Sequence, residues 1–260
     1  MKIIRIWFIY ALMGAQTQLL SGWSGLLFIV GKLVRFFLFF LFVYSVMSAS
    51  NRLMGYTDKQ VVVFFLIFII LDALIQVIYR GIYNFRPLIV SGNFDLDLLH
   101  PLPSYYRPIF GVTDILDIIT TIPFVGYFIW YIIGNGLSVS WSNLLLFLLL
   151  SANALLLAFA VNLIIAAVGL LTTEIDHLTS VYRDLEAMAR FPTDIYNKGI
   201  QYLITYVIPI VILINIPAKA FLGLLVWPDL LLAFGVTAVF LLLAIRLWRF
   251  GLSKYSSASS

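Results

Sequence analysis

The chain has 260 residues, 63% hydrophobic and 11% charged, with a mean hydropathy of +1.06 and a formal charge of +4. A soluble domain averages about 45–50% apolar and about 25% charged residues, so that class is excluded and a bilayer is implied. The absence of cysteine excludes a disulfide framework, a thiol nucleophile and cysteine-ligated metal, and two histidines, His100 and His177, leave little for any other metal site.

A membrane-crossing helix needs about 20 mostly apolar residues, each adding about 1.5 Å across a core about 30 Å thick. Residues 1–22 begin with Lys2 and Arg5, carry an apolar run too short to cross, and continue into Gln16, Thr17, Gln18 and Ser21. They lack a small-residue cleavage site, so they predict an amphipathic helix along the interface rather than a signal peptide. Six transmembrane helices follow, at about 24–48, 60–79, 112–133, 143–171, 199–217 and 229–248. The first holds Lys32 and Arg35 near one interface, the second holds Asp72, and the last gains length from Arg246 and Arg249, whose heads snorkel to the headgroups. The expected class is an all-α polytopic membrane protein with one transmembrane domain over 1–250 and a disordered, low-complexity tail over 251–260.

Inner loops carry the Lys and Arg excess. With the N-terminus inside, only Arg52, Lys59 and Lys219 of the sixteen cations fall outside. Both termini and the connections 80–112 and 172–199 are therefore expected in the cytoplasm. The positive charge reports topology and not nucleic-acid binding.

In chain order, Gly25–Lys32 fails as a phosphate-binding loop, because five residues separate its glycines and Leu33 follows the lysine. Asp72 is costly within a bilayer unless it finds a partner or water. With Gln76 and Arg80 it marks one polar face of the second span, which is a substrate or proton site or, as favoured here, a structural contact between helices. In the stretch 92–103, Ser91, Asn93 or Asp95 can cap a short helix. Phe94, Leu98, Leu99 and Leu102 offer an apolar face before Pro101 and Pro103 end it, which reads as a docking knob. Asp114 and Asp117 suit a helix N-terminus. Pro123, Pro209 and Pro217 predict kinks or breaks. Asn153, Asn162, Thr205 and Asn215 either line a pathway or bond between helices. Glu174, Asp176 and His177 form a metal-like cluster that reads as a solvated loop face.

The run Gly92, Asp95, Leu98, Leu99, Pro101, Leu102 resembles the G-x-x-D-x-x-L-L-R-P-L segment of the six-span permease subunits of ABC-2 type exporters, in a branch described as an uncharacterised ABC permease component. Phe191, Pro192, Ile195, Tyr196, Pro209, Pro217, Ala218, Leu222 and Gly223 are similar to that branch's later motifs. The usual arginine before the proline is His100 here. The resemblance implies a permease subunit of the bacterial inner membrane, paired with a second copy or a related permease. A cytoplasmic ATPase dimer that binds ATP and Mg would drive it. The resemblance further implies that Gly92, Phe94, Asp95, Leu98, Leu99, His100, Pro101 and Leu102 form the coupling helix, and that 217–229 is a short re-entrant outer segment before the last span.

The residues agree with a partner-driven machine, since there is no nucleotide site and no second intramembrane acid to relay protons. Two alternatives stay open. One is a secondary transporter or channel using Asp72 for ion coupling. The other is a lipid-modifying membrane enzyme built on His177 with Asp176 and Glu174.

Overall fold

A computed structural model describes residues 2–19, part of the stretch 23–41, 56–113 and 115–256. Helix α1 is Lys2–Leu19. Helix α2, Asp58–Tyr79, runs through a 3₁₀ turn at Arg80–Asn84 into α3, Phe85–Val90. Short helices α4, Asn93–Leu98, and α5, Tyr106–Phe110, lead to α6, Ile115–Gly134, and α7, Trp141–Thr172. After α8, Ile175–Glu186, come α9, Lys198–Tyr202, α10, Ile216–Phe221, and α11, Trp227–Lys254.

Among the described residues, four helices are long and apolar enough to cross a membrane: Asp58–Val90, Leu116–Gly134, Trp141–Thr172 and Trp227–Lys254. Most of the first expected span, including Lys32, Arg35 and 42–48, lies outside the described residues, as does Asp114. Thr57 starts α2 with a capping box, its hydroxyl accepting from the Gln60 amide while the Gln60 side chain accepts from the Thr57 amide. Apolar on nearly every side, α2 is the buried centre of the bundle. Around it pack α6, α7, α10 and the π-helical turn Val211–Asn215. By contrast, few residues of α6 and α11 are buried against the described bundle.

Two close approaches fix the packing. A Cβ on Gly81 would lie 2.7 Å from the Ile109 backbone, and one on Gly251 would lie 3.0 Å from the Ala167 carbonyl oxygen, so α5 and α7 come nearer than any larger residue allows.

The stretch 172–199, expected as an inner loop, instead runs the length of α2 in the opposite direction. Asp176 pairs with Arg86 at 3.0 Å, Arg183 with Asp72, and the Arg190 guanidinium lies 5.5 Å from the centre of the Phe68 ring. Asp194 then accepts from the Tyr56 hydroxyl at 2.5 Å and pairs with Lys219. Hydropathy hides this course because the eight residues from Arg183 to Arg190 carry four charges. The pattern within α8 reveals it: Ile175, Thr179, Tyr182 and Glu186 form one buried face.

The expected fifth span, 199–217, is not a straight helix. Lys198–Val207 and Val211–Phe221 meet at 84° across Ile208–Ile210. Pro209 has no N–H to continue the ladder, and a π-helical turn flanks the break on each side. The break therefore sits earlier than the expected re-entrant segment at 217–229. Pro217 breaks nothing, because it occupies the first turn of α10, where a missing donor costs little. Pro123 is accommodated inside α6. At the other terminus α11 continues to Lys254, four residues into the expected disordered tail, and 257–260 lie outside the described residues.

Candidate functional site

The docking knob begins at a turn. Gly92 has φ of 73°, a left-handed conformation that glycine adopts without a Cβ penalty, and it turns the chain from α3 into α4. No side chain caps α4; Asn93 Nδ2 donates to Ser91 Oγ at 2.9 Å instead, so the caps expected from Ser91, Asn93 or Asp95 are not made.

The expected apolar face of α4 splits in two. Phe94 is fully buried, edge-on to Phe85 at 5.1 Å and to Tyr255 at 5.3 Å, with Trp248 at 6.3 Å. Trp248 Nε1 donates to Ser104 Oγ at 2.9 Å. Burial, and then the nearby Asp95 carboxylate, push the Tyr255 phenol up to about 12. Leu98 and Leu99 point outward with Leu96, and Leu99 is 82% exposed. Pro101 and His100 are exposed beside them and Leu102 is half-buried. His100 Nδ1 lies 2.8 Å from the Leu96 carbonyl oxygen, and Arg107 pairs with Asp97 at 2.7 Å. Phe94 is thus an anchor rather than part of the exposed face. The knob is an apolar cap of three leucines on an aromatic plug.

The second cluster surrounds Asp72. Arg183 Nη1 donates to Asp72 Oδ1 at 2.5 Å and to Glu186 Oε2 at 2.9 Å. Asp72 and Glu186 are buried, whereas the Arg183 side chain keeps a quarter of its surface. Glu186 Oε1 and the Tyr182 hydroxyl, also buried, find no hydrogen-bond partner among the described residues. Gln76 is buried one turn away from Asp72. A neighbouring pair, Arg80 with Asp117 at 3.9 Å, ties the end of α2 to the start of α6. Sequence reasoning missed Arg183 and Glu186 by placing them in a water-exposed loop. The signal available was Asp72 itself, because an intramembrane acid requires a cation at matching depth.

The remaining polar positions divide by partner. Asn153 Nδ2 donates to Thr237 Oγ1 at 3.0 Å and to the Ala233 carbonyl, bridging α7 and α11. Asn215 accepts from the Thr193 amide at 2.8 Å and donates to the Ala189 carbonyl, holding the stretch before α9 against the π-helical turn. Asn162 and Thr205 bond to carbonyls of their own helical segments, at Ala158 and Gln201. Glu174 and His177 are largely exposed and 3.5 Å apart, and no group of three metal-ligating side chains occurs among the described residues.

A family model described as "ABC-2 family transporter protein" matches residues 32–259. No curated protein and no solved structure matches the chain.

Proposed function

The chain belongs to the ABC-2 transporter family, and from that premise we propose that it is the permease subunit of an ATP-driven exporter. Two permeases form the pathway, and a separate cytoplasmic ATPase dimer, which binds ATP and Mg, works them through the knob at 92–103. The observation that carries this is the exposed leucine cap on a plugged, immobilised α4. Exposed leucines on a short helix are costly unless a partner covers them, and the Phe94 plug lets force on them reach the rest of the chain.

In this arrangement both termini and the knob lie on the cytoplasmic face of a bacterial inner membrane. The six crossings are the first span expected at 24–48, α2, α6, α7, the course 175–195 and α11, with 198–221 re-entrant from the outer side. That differs from the expected fifth span and re-entrant segment, and the antiparallel course beside α2 supports it. Asp72 acts structurally, since Arg183 engages it in the described state, although the proposed crossing brings Glu186 beside it as a second intramembrane acid, contrary to the expectation that there is none. The exposure of Glu174 and His177 gives a lipid-modifying centre no shielded site.

The aromatic plug also suggests how force travels. Phe94 and Ser104 flank the knob in sequence and both contact Trp248 of α11, and Asn153 and Gly251 lock α11 to α7. Movement of the knob would carry both long helices. The test is copurification from gentle detergent: an ATPase should accompany the wild-type chain and be lost from Leu99→Asp. Pumping by the purified chain with no companion would sink the proposal.

A further inference from the structure

We propose that the exposed face of α8 lines a water-filled pathway, and that Asp184 gives that pathway a preference for solutes carrying positive charge. This rests on the proposed crossing at 175–195 and extends it to the lining and its chemistry.

The depth follows from contacts already described. Arg183 meets Asp72, which lies about 10 Å from the Tyr79 end of α2 and about 21 Å from the Asp58 end, at 1.5 Å per residue. Asp184 is the next residue and shares that depth. While Ile175, Thr179, Tyr182 and Glu186 face the bundle, the opposite face shows Asp176, His177, Ser180, Val181 and Asp184, all exposed. Asp184 takes part in no hydrogen bond or ion pair with the described residues.

A carboxylate at this depth does not face acyl chains, because charged side chains within a membrane turn toward protein or water. The described bundle occupies the other side of α8, so in the proposed pair of permeases Asp184 would face the space where the two copies meet. Ser180, one turn away, adds a hydroxyl to the same strip. Its own Oγ donates to the Asp176 carbonyl at 2.8 Å, which leaves its lone pairs toward the pathway. An unpaired carboxylate on the wall of a narrow wet passage concentrates cations and repels anions.

The cysteine-free chain allows a direct test in the assembled complex, in inverted membrane vesicles. Ser180→Cys and Thr179→Cys are each exposed to a cationic and an anionic methanethiosulfonate of similar size. The expected result is reaction at 180, no reaction at 179, and a cationic-to-anionic rate ratio at 180 that falls at least threefold when Asp184→Asn is added. An unchanged ratio overturns the charge preference. If Ser180→Cys refuses both aqueous reagents yet takes a lipid-soluble maleimide, the face is not a pathway lining. Equal reactivity at 179 and 180 instead overturns the packing of α8 against the bundle, and with it the lining that rests on that packing.

Discussion

Arg183 and Asp72, 111 residues apart in sequence, meet at 2.5 Å in the interior of the bundle. The same guanidinium nitrogen also donates to Glu186, so two buried carboxylates share one donor, and Arg190 adds its positive charge near Glu186.

Removing Arg183 takes that donor from both acids. Arg183→Ala is expected to destabilise the chain by about 3–5 kcal/mol, the usual consequence of breaking a buried ion pair from one side. Asp72→Asn should be milder, because Glu186 retains the guanidinium. Adding Asp72→Asn and Glu186→Gln to Arg183→Ala should restore much of the loss, since the acids then carry no charge. Thermal unfolding in detergent measures all three, and an Arg183→Ala protein as stable as wild type would contradict the arrangement.

For the docking face, Leu99→Asp should reduce the copurifying ATPase at least tenfold while leaving the melting temperature within a few degrees, because an 82% exposed side chain contributes little to folding. His177→Ala should leave complex and transport intact. Loss of transport in that variant would revive the lipid-enzyme alternative.

The aromatic plug predicts a different phenotype. Phe94→Ala empties a fully buried site and should cost about 3–5 kcal/mol. Trp248→Phe keeps most of the ring packing but loses the bond to Ser104. It should still bind the ATPase while ATP hydrolysis becomes insensitive to the state of the pathway, and Ser104→Ala should reproduce this in weaker form. ATPase assays of the reconstituted complexes separate the two outcomes.

Gly81→Ala should be worse than Gly251→Ala. At Gly81 the added methyl meets the Pro108 and Ile109 backbone at 2.7–2.8 Å, while at Gly251 the first neighbour is at 3.0 Å. Neither neighbour is a flexible side chain, so the expected costs are about 2–3 and about 1 kcal/mol. The order of melting temperatures checks this.

The parts of the fold legible in the sequence are those where composition alone decides. Few or no charges interrupt α2, α6, α7 and most of α11, and apolar runs of that length have few other fates. The course 175–195 escaped because its arginines and acids find their partners, Arg183 with Asp72 and Asp176 with Arg86, only in three dimensions, where a hydropathy average does not register them. Phe94 was read as facing out because α4 has six residues, too few turns for periodicity to assign an inside. Its direction is set by Trp248 and Tyr255, about 150 residues away in the chain.

The right-angle corner at Ile208–Ile210 has a further consequence for the lipid around it. Pro209 offers no donor to the turn before it, and each arm of the corner, Lys198–Val207 and Val211–Phe221, is shorter than the about 20 residues a crossing needs. If 198–221 is re-entrant, as proposed, the outer leaflet would thin to meet that corner, and headgroups and water would follow it inward.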